Sequence, residues 1–341
     1  MTKFHENFPL KDITTFHAKV FAKDYTEFSS VAELKEILSS ELVKTKPFMI
    51  LGGGSNVLFT GDYNGIIIRN AIKGIEIIKE EGNDIYIKAN GGEKWHDFVL
   101  YCVSHNYGGV ENLSLIPGTV GAGPIQNIGA YGVELKDTLH EVEALNIKTL
   151  QVEKFSNVDC KFGYRESIFK GEQKGKYVIL AVTLKLDKNP KKVNASYGTI
   201  SKELESMGVT NPTIADVSKA VINIRSSKLP DPEKLGNAGS FFKNPVIANT
   251  SFGKLKAQFP EIVSFPAHDG HTKLAAGWLI EQCGWKGKRI GDAGVHKDQA
   301  LVLVNYGDAT GKEIYDLSTQ VIQSVKEKFG VLLEREVNMI E

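Results

Sequence analysis

Apolar residues recur along this chain at two periods, so both strands and helices are predicted and neither dominates. Phe48-Met49-Ile50-Leu51 is a short apolar run that ends in Gly52-Gly53-Gly54, and Gly65-Ile66-Ile67-Ile68-Arg69 is a second run rich in β-branched residues. Residues 75–78 and 85–88 flank Glu81-Gly82-Asn83-Asp84 and read as a hairpin. Trp95, Phe98, Val99 and Cys102 share one face of a helix predicted over 94–106. Residues 113–132 are small, glycine-rich and aperiodic, a composition that an ordered domain tolerates over such a length when the loop is functional. Strands are then predicted over 141–152 and 177–186, and helices over 200–207 and 214–225. Leu229-Pro230-Asp231-Pro232 marks a hinge or loop. Beyond it come a helix over 273–283, a buried strand over 301–305, a long amphipathic helix over 312–329 stopped by Gly330, and a closing strand over 331–340. The class is α+β with mixed sheets, not a regular βαβ array.

The length of 341 residues exceeds one ordinary hydrophobic core, so two or three domains are expected. An apolar fraction of 42% and a charged fraction of 24% are those of a soluble globular protein. Formal net charge is zero, which argues against a nucleic acid or an anionic membrane as partner and leaves any anionic ligand to local cations. The first residues carry an acid and no apolar segment of the signal-peptide kind, and no apolar run approaches the roughly 18 residues of a membrane span. Cys102, Cys160 and Cys283 are odd in number and widely spaced, and the histidines show no paired metal-ligand spacing. These features lead us to expect a cytoplasmic protein without a metal or an obligate protein partner.

Candidate chemistry lies in a few segments. Gly52-Gly53-Gly54-Ser55-Asn56 follows a strand and leaves backbone N–H groups open to a pyrophosphate, although a tight turn would explain it equally well. Pro117, Gly118, Thr119, Gly121 and Ala122 form a second such loop, followed by Gln126, Asn127 and Gly129, whose amides suit the polar edge of a heteroaromatic ring. Two glycine-rich loops together suggest an adenine dinucleotide. Arg165, between Tyr164 and Glu166, is either a surface ion pair or a fork for a carboxylate. Tyr197 and Lys228 are by default a turn aromatic and a solvated lysine, and contacts to phosphate or sugar if a site lies nearby. Gly239-Ser240-Phe241-Phe242-Lys243-Asn244-Pro245 sets a hydroxyl between a glycine and two aromatics, an order suited to a loop that delivers a proton to an anionic ligand. Glu334 and Glu336 alternate with Leu333, Arg335 and Val337, so both carboxylates face one way.

These segments, with Ile116-Pro117-Gly118-Thr119-Val120-Gly121-Ala122, Ala275-Ala276-Gly277-Trp278-Leu279-Ile280-Glu281 and Val295-His296-Lys297-Asp298-Gln299-Ala300, occur in the order seen in UDP-N-acetylenolpyruvoylglucosamine reductases (MurB). Each motif is modest by itself, but in this order from about Phe16 to Ile340 the chain closely resembles that family, within the PCMH/vanillyl-alcohol-oxidase-like superfamily. The Tyr197-Gly198 turn resembles the longer, type I subclass. The resemblance implies a two-lobed FAD-binding PCMH-type domain followed by a smaller α+β substrate-binding domain. We expect the lobes over 1–70 and 71–212, the substrate domain over 213–330, and a C-terminal strand over 331–341 that returns to the active site.

The implied activity is NADPH-dependent, FAD-mediated reduction of UDP-N-acetylglucosamine enolpyruvate to UDP-N-acetylmuramate for peptidoglycan precursor synthesis. Ser55 stands where relatives in the wider superfamily can carry a histidine bonded to the flavin, so non-covalent FAD is implied. By resemblance Arg165 and Glu336 stabilise the enolate formed on hydride addition, and Ser240 protonates it. A Glu336 that shares a proton would donate to the enolate rather than repel it. Tyr197, Lys228, Asn244 and Gln299 match contacts to the UDP part. Two competing readings are a flavin oxidase of the same superfamily and a non-catalytic nucleotide-sugar-binding protein.

Overall fold

The computed structural model describes residues 3–341. They form two compact units, each assembled from several stretches of chain: the residues up to Asn7, Asp24–Gly53 and Asn64–Ser227 in the first, and Phe8–Lys23, Gly54–Tyr63 and Lys228–Glu341 in the second.

The first unit is organised by a five-stranded antiparallel sheet in the order Val152–Ser156, Leu139–Asn146, Tyr177–Asp187, Asp84–Asn90, Ile75–Glu81. Its strand Tyr177–Asp187 is almost continuously apolar because both faces are covered. Val178 and Leu180 pack with Phe28, Leu34, Ile37 and Ile66, whereas Ile179, Val182 and Leu184 pack with Trp95, Phe98 and Val99 of the helix Trp95–Ser104. The strand Phe48–Leu51 runs parallel to residues 66–69 and carries the chain into Gly52. The helices Gly198–Ser206 and Ile214–Lys228 close on each other through Ile200, Leu204, Val217, Val221 and Ile224, at the spacing of one helical face.

The second unit pairs Gly236–Ser240 with Val302–Asn305 and then Ala293–Val295 and Arg289–Ile290. The helix Gly311–Phe329 opens on a capping box between Thr310 and Glu313 and stops at Gly330, whose φ of +67° continues no helix. Its buried face (Ile314, Leu317, Val321, Val325) shares a core with Phe16, Leu58, Phe241 and Phe242. The strand Asn338–Ile340 runs parallel to Val57–Phe59.

Several predicted elements change at their ends. The run 141–152 is a strand, Leu139–Asn146, followed by a turn, because Asn146 Oδ1 accepts from the N–H groups of Lys148 and Thr149; a second strand starts at Val152. The helix expected over 273–283 begins only at Ala276, since Lys273 and Leu274 belong to the strand His271–Leu274. The helix predicted to end at Arg225 continues to Lys228, so that lysine stands on a helix end and not in a loop. Within 331–340 the ladder reaches only Asn338–Ile340, with one isolated bridge between Arg335 and Phe242. No helix among the described residues is long and apolar enough to cross a membrane.

Candidate active site

In the first unit the glycine-rich segments touch backbone to backbone. A Cβ added to Gly52 would lie 2.6 Å from Thr119 Oγ1, and one added to Gly53 would lie 2.9 Å from Gly118 Cα. Gly118 O accepts from Trp95 N at 3.0 Å and Gly91 O from Gly121 N at 3.0 Å, which ties the second loop to the sheet and to the helix Trp95–Ser104. The Thr119 hydroxyl is buried without a hydrogen-bond partner. Gly52, Thr119, Gly121 and Ala122 line one part of a cavity of about 600 Å³ whose walls include Phe48, Ile50, Phe169 and Tyr177. An orphaned buried hydroxyl, a glycine cradle and apolar walls fit a flat cofactor that carries phosphate, as FAD does. Pro117 is exposed at the head of this loop and Gln126 is partly exposed at its end.

Leu115, which enters the loop with φ +57°, is fixed from both sides. Its N–H donates to His96 Nδ1 at 2.9 Å, and its carbonyl accepts from Arg225 Nε at 3.1 Å. Burial holds the His96 imidazole below the usual histidine range, consistent with a neutral ring that accepts at Nδ1. Neither His96 nor Arg225 stands in a motif; their roles follow from residues 19 and 110 positions away.

Arg165 occupies a four-residue turn closed by the bridge between Gly163 and Glu166, and its own φ is +57°. Its Nη2 donates to Gly129 O at 2.9 Å, and its guanidinium lies 5.5 Å from the centre of the Tyr164 ring. Asn127 is fully buried; its amide donates to Glu134 and to the Gly163 carbonyl, and its Oδ1 accepts from Lys136 N. Thus Asn127 braces the Arg165 turn with its side chain, which leaves that amide no proton for a ligand. Tyr197 meets Tyr131 edge-on at 5.6 Å, and Tyr131 is hydrogen-bonded to Arg225.

Gly54, Ser55 and Asn56 fall in the second unit. Gly54 has φ +62°, and a Cβ there would lie 2.0 Å from Ile13 O, so no other residue fits. Asn56 O accepts from the backbone and side chain of Asn338, at 3.1 and 3.0 Å. Ser240 ends the strand Gly236–Ser240 with its side chain exposed, while Phe241 and Phe242 next to it are buried. Glu336 N donates to Phe241 O at 2.8 Å and Lys243 N to Glu334 O at 2.9 Å, so the Ser240 and Glu336 segments run side by side. Asn244 Oδ1 accepts from Ala276 N at 3.0 Å at the start of the helix Ala276–Gln282. Gln299 Oε1 would lie 3.2 Å from a Cβ at Gly277 in the same helix. The structure therefore lays the Ser240 and Glu336 segments side by side, with Asn56 Nδ2 donating to Glu336 O at 3.4 Å, and brings Asn244 and Gln299 to one helix. Lys228 is exposed.

Residues 231–340 match the family model described as the C-terminal domain of UDP-N-acetylenolpyruvoylglucosamine reductase, and residues 24–152 match an FAD binding domain. The chain is 51% identical over 338 residues to a UDP-N-acetylenolpyruvoylglucosamine reductase of Flavobacterium johnsoniae, covering 99% of this chain and 100% of that one. It is 48% identical to the Chromobacterium violaceum protein of the same name, covering 98% of each chain. Among solved structures it is similar to UDP-N-acetylenolpyruvylglucosamine reductase from Thermus caldophilus, with TM-score 0.66 and 23% identity over 100% of this chain and 99% of that one. It is also similar to 6-hydroxy-D-nicotine oxidase from Arthrobacter nicotinovorans, with TM-score 0.57 and 13% identity over 97% and 87%. At those identities the two structures speak to the fold alone.

Proposed function

We propose a reaction scheme from one premise: the chain belongs to the UDP-N-acetylenolpyruvoylglucosamine reductase family. It is an FAD enzyme that reduces UDP-N-acetylglucosamine enolpyruvate to UDP-N-acetylmuramate at the expense of NADPH, in peptidoglycan precursor synthesis. When bound, FAD supplies the terminal vinyl carbon of the substrate with a hydride taken from NADPH.

Gly52, Gly53, Pro117, Gly118, Thr119, Gly121 and Ala122 hold the cofactor in this reading, with Gln126, Asn127 and Gly129 shaping the loop beside them and Gly54, Ser55 and Asn56 assigned to the same group. Hydride addition puts negative charge on the carbon that bears the carboxylate. Arg165 is assigned to that charge because its guanidinium is pre-set by a backbone carbonyl and needs no reorganisation as the charge develops. Glu336 is assigned to the same enolate. Ser240 Oγ–H gives its proton to the carbon, and the exposed hydroxyl regains one from water. Tyr197, Lys228, Asn244 and Gln299 take the UDP part. The division at 70, 212 and 330 belongs to the same reading.

The pairing of the Ser240 and Glu336 segments supports these roles most strongly, since a proton donor and an enolate partner must share one small volume. The test is anaerobic: reduce the flavoprotein with one equivalent of NADPH, add UDP-N-acetylglucosamine enolpyruvate and follow the flavin absorbance. Return of the oxidised band with formation of the UDP-lactyl ether is expected. A flavin that stays bleached until air is admitted points to the oxidase reading and sinks this one.

A further inference from the structure

We infer that Arg335 is a positioning residue that sets which glutamate of the 331–337 segment accompanies Ser240; this rests on the functional reading above. Along the segment, Val331, Leu333 and Val337 are buried at alternate positions, with exposures of 6%, 2% and 3%. Position 335 is the missing member of that inward series, and it carries a guanidinium instead of a hydrocarbon. Glu334 and Glu336 lie on the opposite face, two residues apart. Apolar alternation decides which face is inward, but it is indifferent to a slip of two residues. Such a slip would exchange Glu336 for Glu334 and set position 335 where Val337 packs, which an apolar residue at 335 would tolerate.

Directional bonds remove that degeneracy. Arg335 Nε donates to Ser318 Oγ at 2.8 Å, and Nη2 donates to Thr319 Oγ1 at 2.7 Å. The guanidinium also lies 4.3 Å from the Tyr315 ring centre, so all three partners stand on neighbouring turns of the helix Gly311–Phe329. Arg335 is at the same time the residue bridged to Phe242, between the Glu336 N–H bond to Phe241 and the Lys243 N–H bond to Glu334. A planar fork satisfied at two points has one register, whereas a lysine ammonium, compact and freely rotating, imposes no such fixed geometry on the two hydroxyls. A polar group at an inward position is a known device for choosing one register among several of equal hydrophobicity.

The experiment uses the FAD holoenzyme and stopped-flow measurement of its two half-reactions. In Arg335→Leu, which keeps an inward apolar side chain, reoxidation of reduced flavin by the enolpyruvyl substrate is expected to slow about ten- to a hundredfold. Flavin reduction by NADPH is expected to change by less than about twofold, because the displaced register touches only the enolate step. Arg335→Lys should resemble Arg335→Leu. Glu334→Gln alone should be near neutral, but combined with Arg335→Leu it should lower the residual reoxidation rate further, a coupling that a general loss of stability would not produce. Unchanged reoxidation in Arg335→Leu, an equal loss of both half-reactions, or no coupling to Glu334 would each overturn the assignment. If Arg335→Leu does not fold, Thr319→Val removes one arm of the fork, and about threefold slower reoxidation with intact flavin reduction is expected; an unchanged rate overturns the proposal. Wild-type flavin that the substrate never reoxidises would overturn the functional reading, and this inference with it.

Discussion

Arg165 stands in a short turn of strained backbone, whereas Ser240 and Glu336 stand on extended chain laid over buried aromatic rings. In the first unit's loops the non-glycine residues Leu115, Asn127, Tyr131 and Arg165 itself all have positive φ, between +47° and +57°. In the Ser240 and Glu336 segments only Gly239 does. The first arrangement stores strain at Arg165 and holds it through backbone carbonyls and Asn127. The second spreads its constraint into a core that contains Phe241, Phe242 and Leu333, and leaves the hydroxyl and carboxylate outside it. One kind of site is fixed locally, the other by the fold.

That contrast can be broken first at its chemistry. Ser240→Ala should slow flavin reoxidation by substrate about a hundredfold or more while NADPH still reduces the flavin at nearly its normal rate; parallel loss of both rates would make Ser240 a structural residue. Stability should separate the two regions next. Phe242→Ala, at a position 1% exposed, should cost about 3–5 kcal/mol in denaturant unfolding. Tyr164→Ala, at a ring 37% exposed beside Arg165, should cost under about 1 kcal/mol. Comparable losses would mean that the Arg165 turn leans on packing after all. A finer test compares two variants at one position: Arg165→Gly should be more stable than Arg165→Ala by about 1 kcal/mol, because only glycine relaxes at φ +57°. Equal stability would show that the turn carries no strain.

The smallest expected effect concerns pH. His96 is held below its ordinary pKa by burial, so protonation is favoured in the unfolded chain over the folded one. Its contribution to stability is complete above the unfolded value near 6.5 and is lost as pH falls through the lower folded value. Protonation at Nδ1 also abolishes the bond from Leu115 N, so FAD affinity should weaken over the same acidic interval. His96→Asn, which offers a neutral acceptor, should flatten that part of the profile in a fluorescence titration with FAD. An unaltered profile would remove His96 from the loop's support.

What the sequence discloses is what depends on local order. The helix Gly311–Phe329 is legible because its cap, its apolar stripe and Gly330 are all neighbours in the chain. The two glycine-rich loops are legible one by one, but their contact, Gly52 and Gly53 against Thr119 and Gly118, arises only in the fold. Asn127 is misleading for the opposite reason: its type suits a ligand, but its amide is bonded to Glu134 and Gly163, which no spacing reveals. The helix predicted over 214–225 runs on through Lys228 until the chain meets the proline-rich stretch 229–232. The support given to Leu115 by His96 and Arg225, and to Arg335 by Ser318 and Thr319, forms only once distant stretches pack.

The second unit draws its interior from three separate stretches of chain. Its core includes Phe16 and Leu58, the strand Asn338–Ile340 leans on Val57–Phe59, and Gly311 leaves no room for a Cβ against Phe59 O, 1.7 Å away from where it would stand. A fragment that begins at Lys228 would therefore lack part of its own wall, and its apolar interior would lie open to water. Modules that can be traded between genes are those that fold from one contiguous piece. This one is not, so recombination at its apparent boundary would deliver an unfolded segment, and inheritance of the Ser240 and Glu336 pair is bound to inheritance of the early chain.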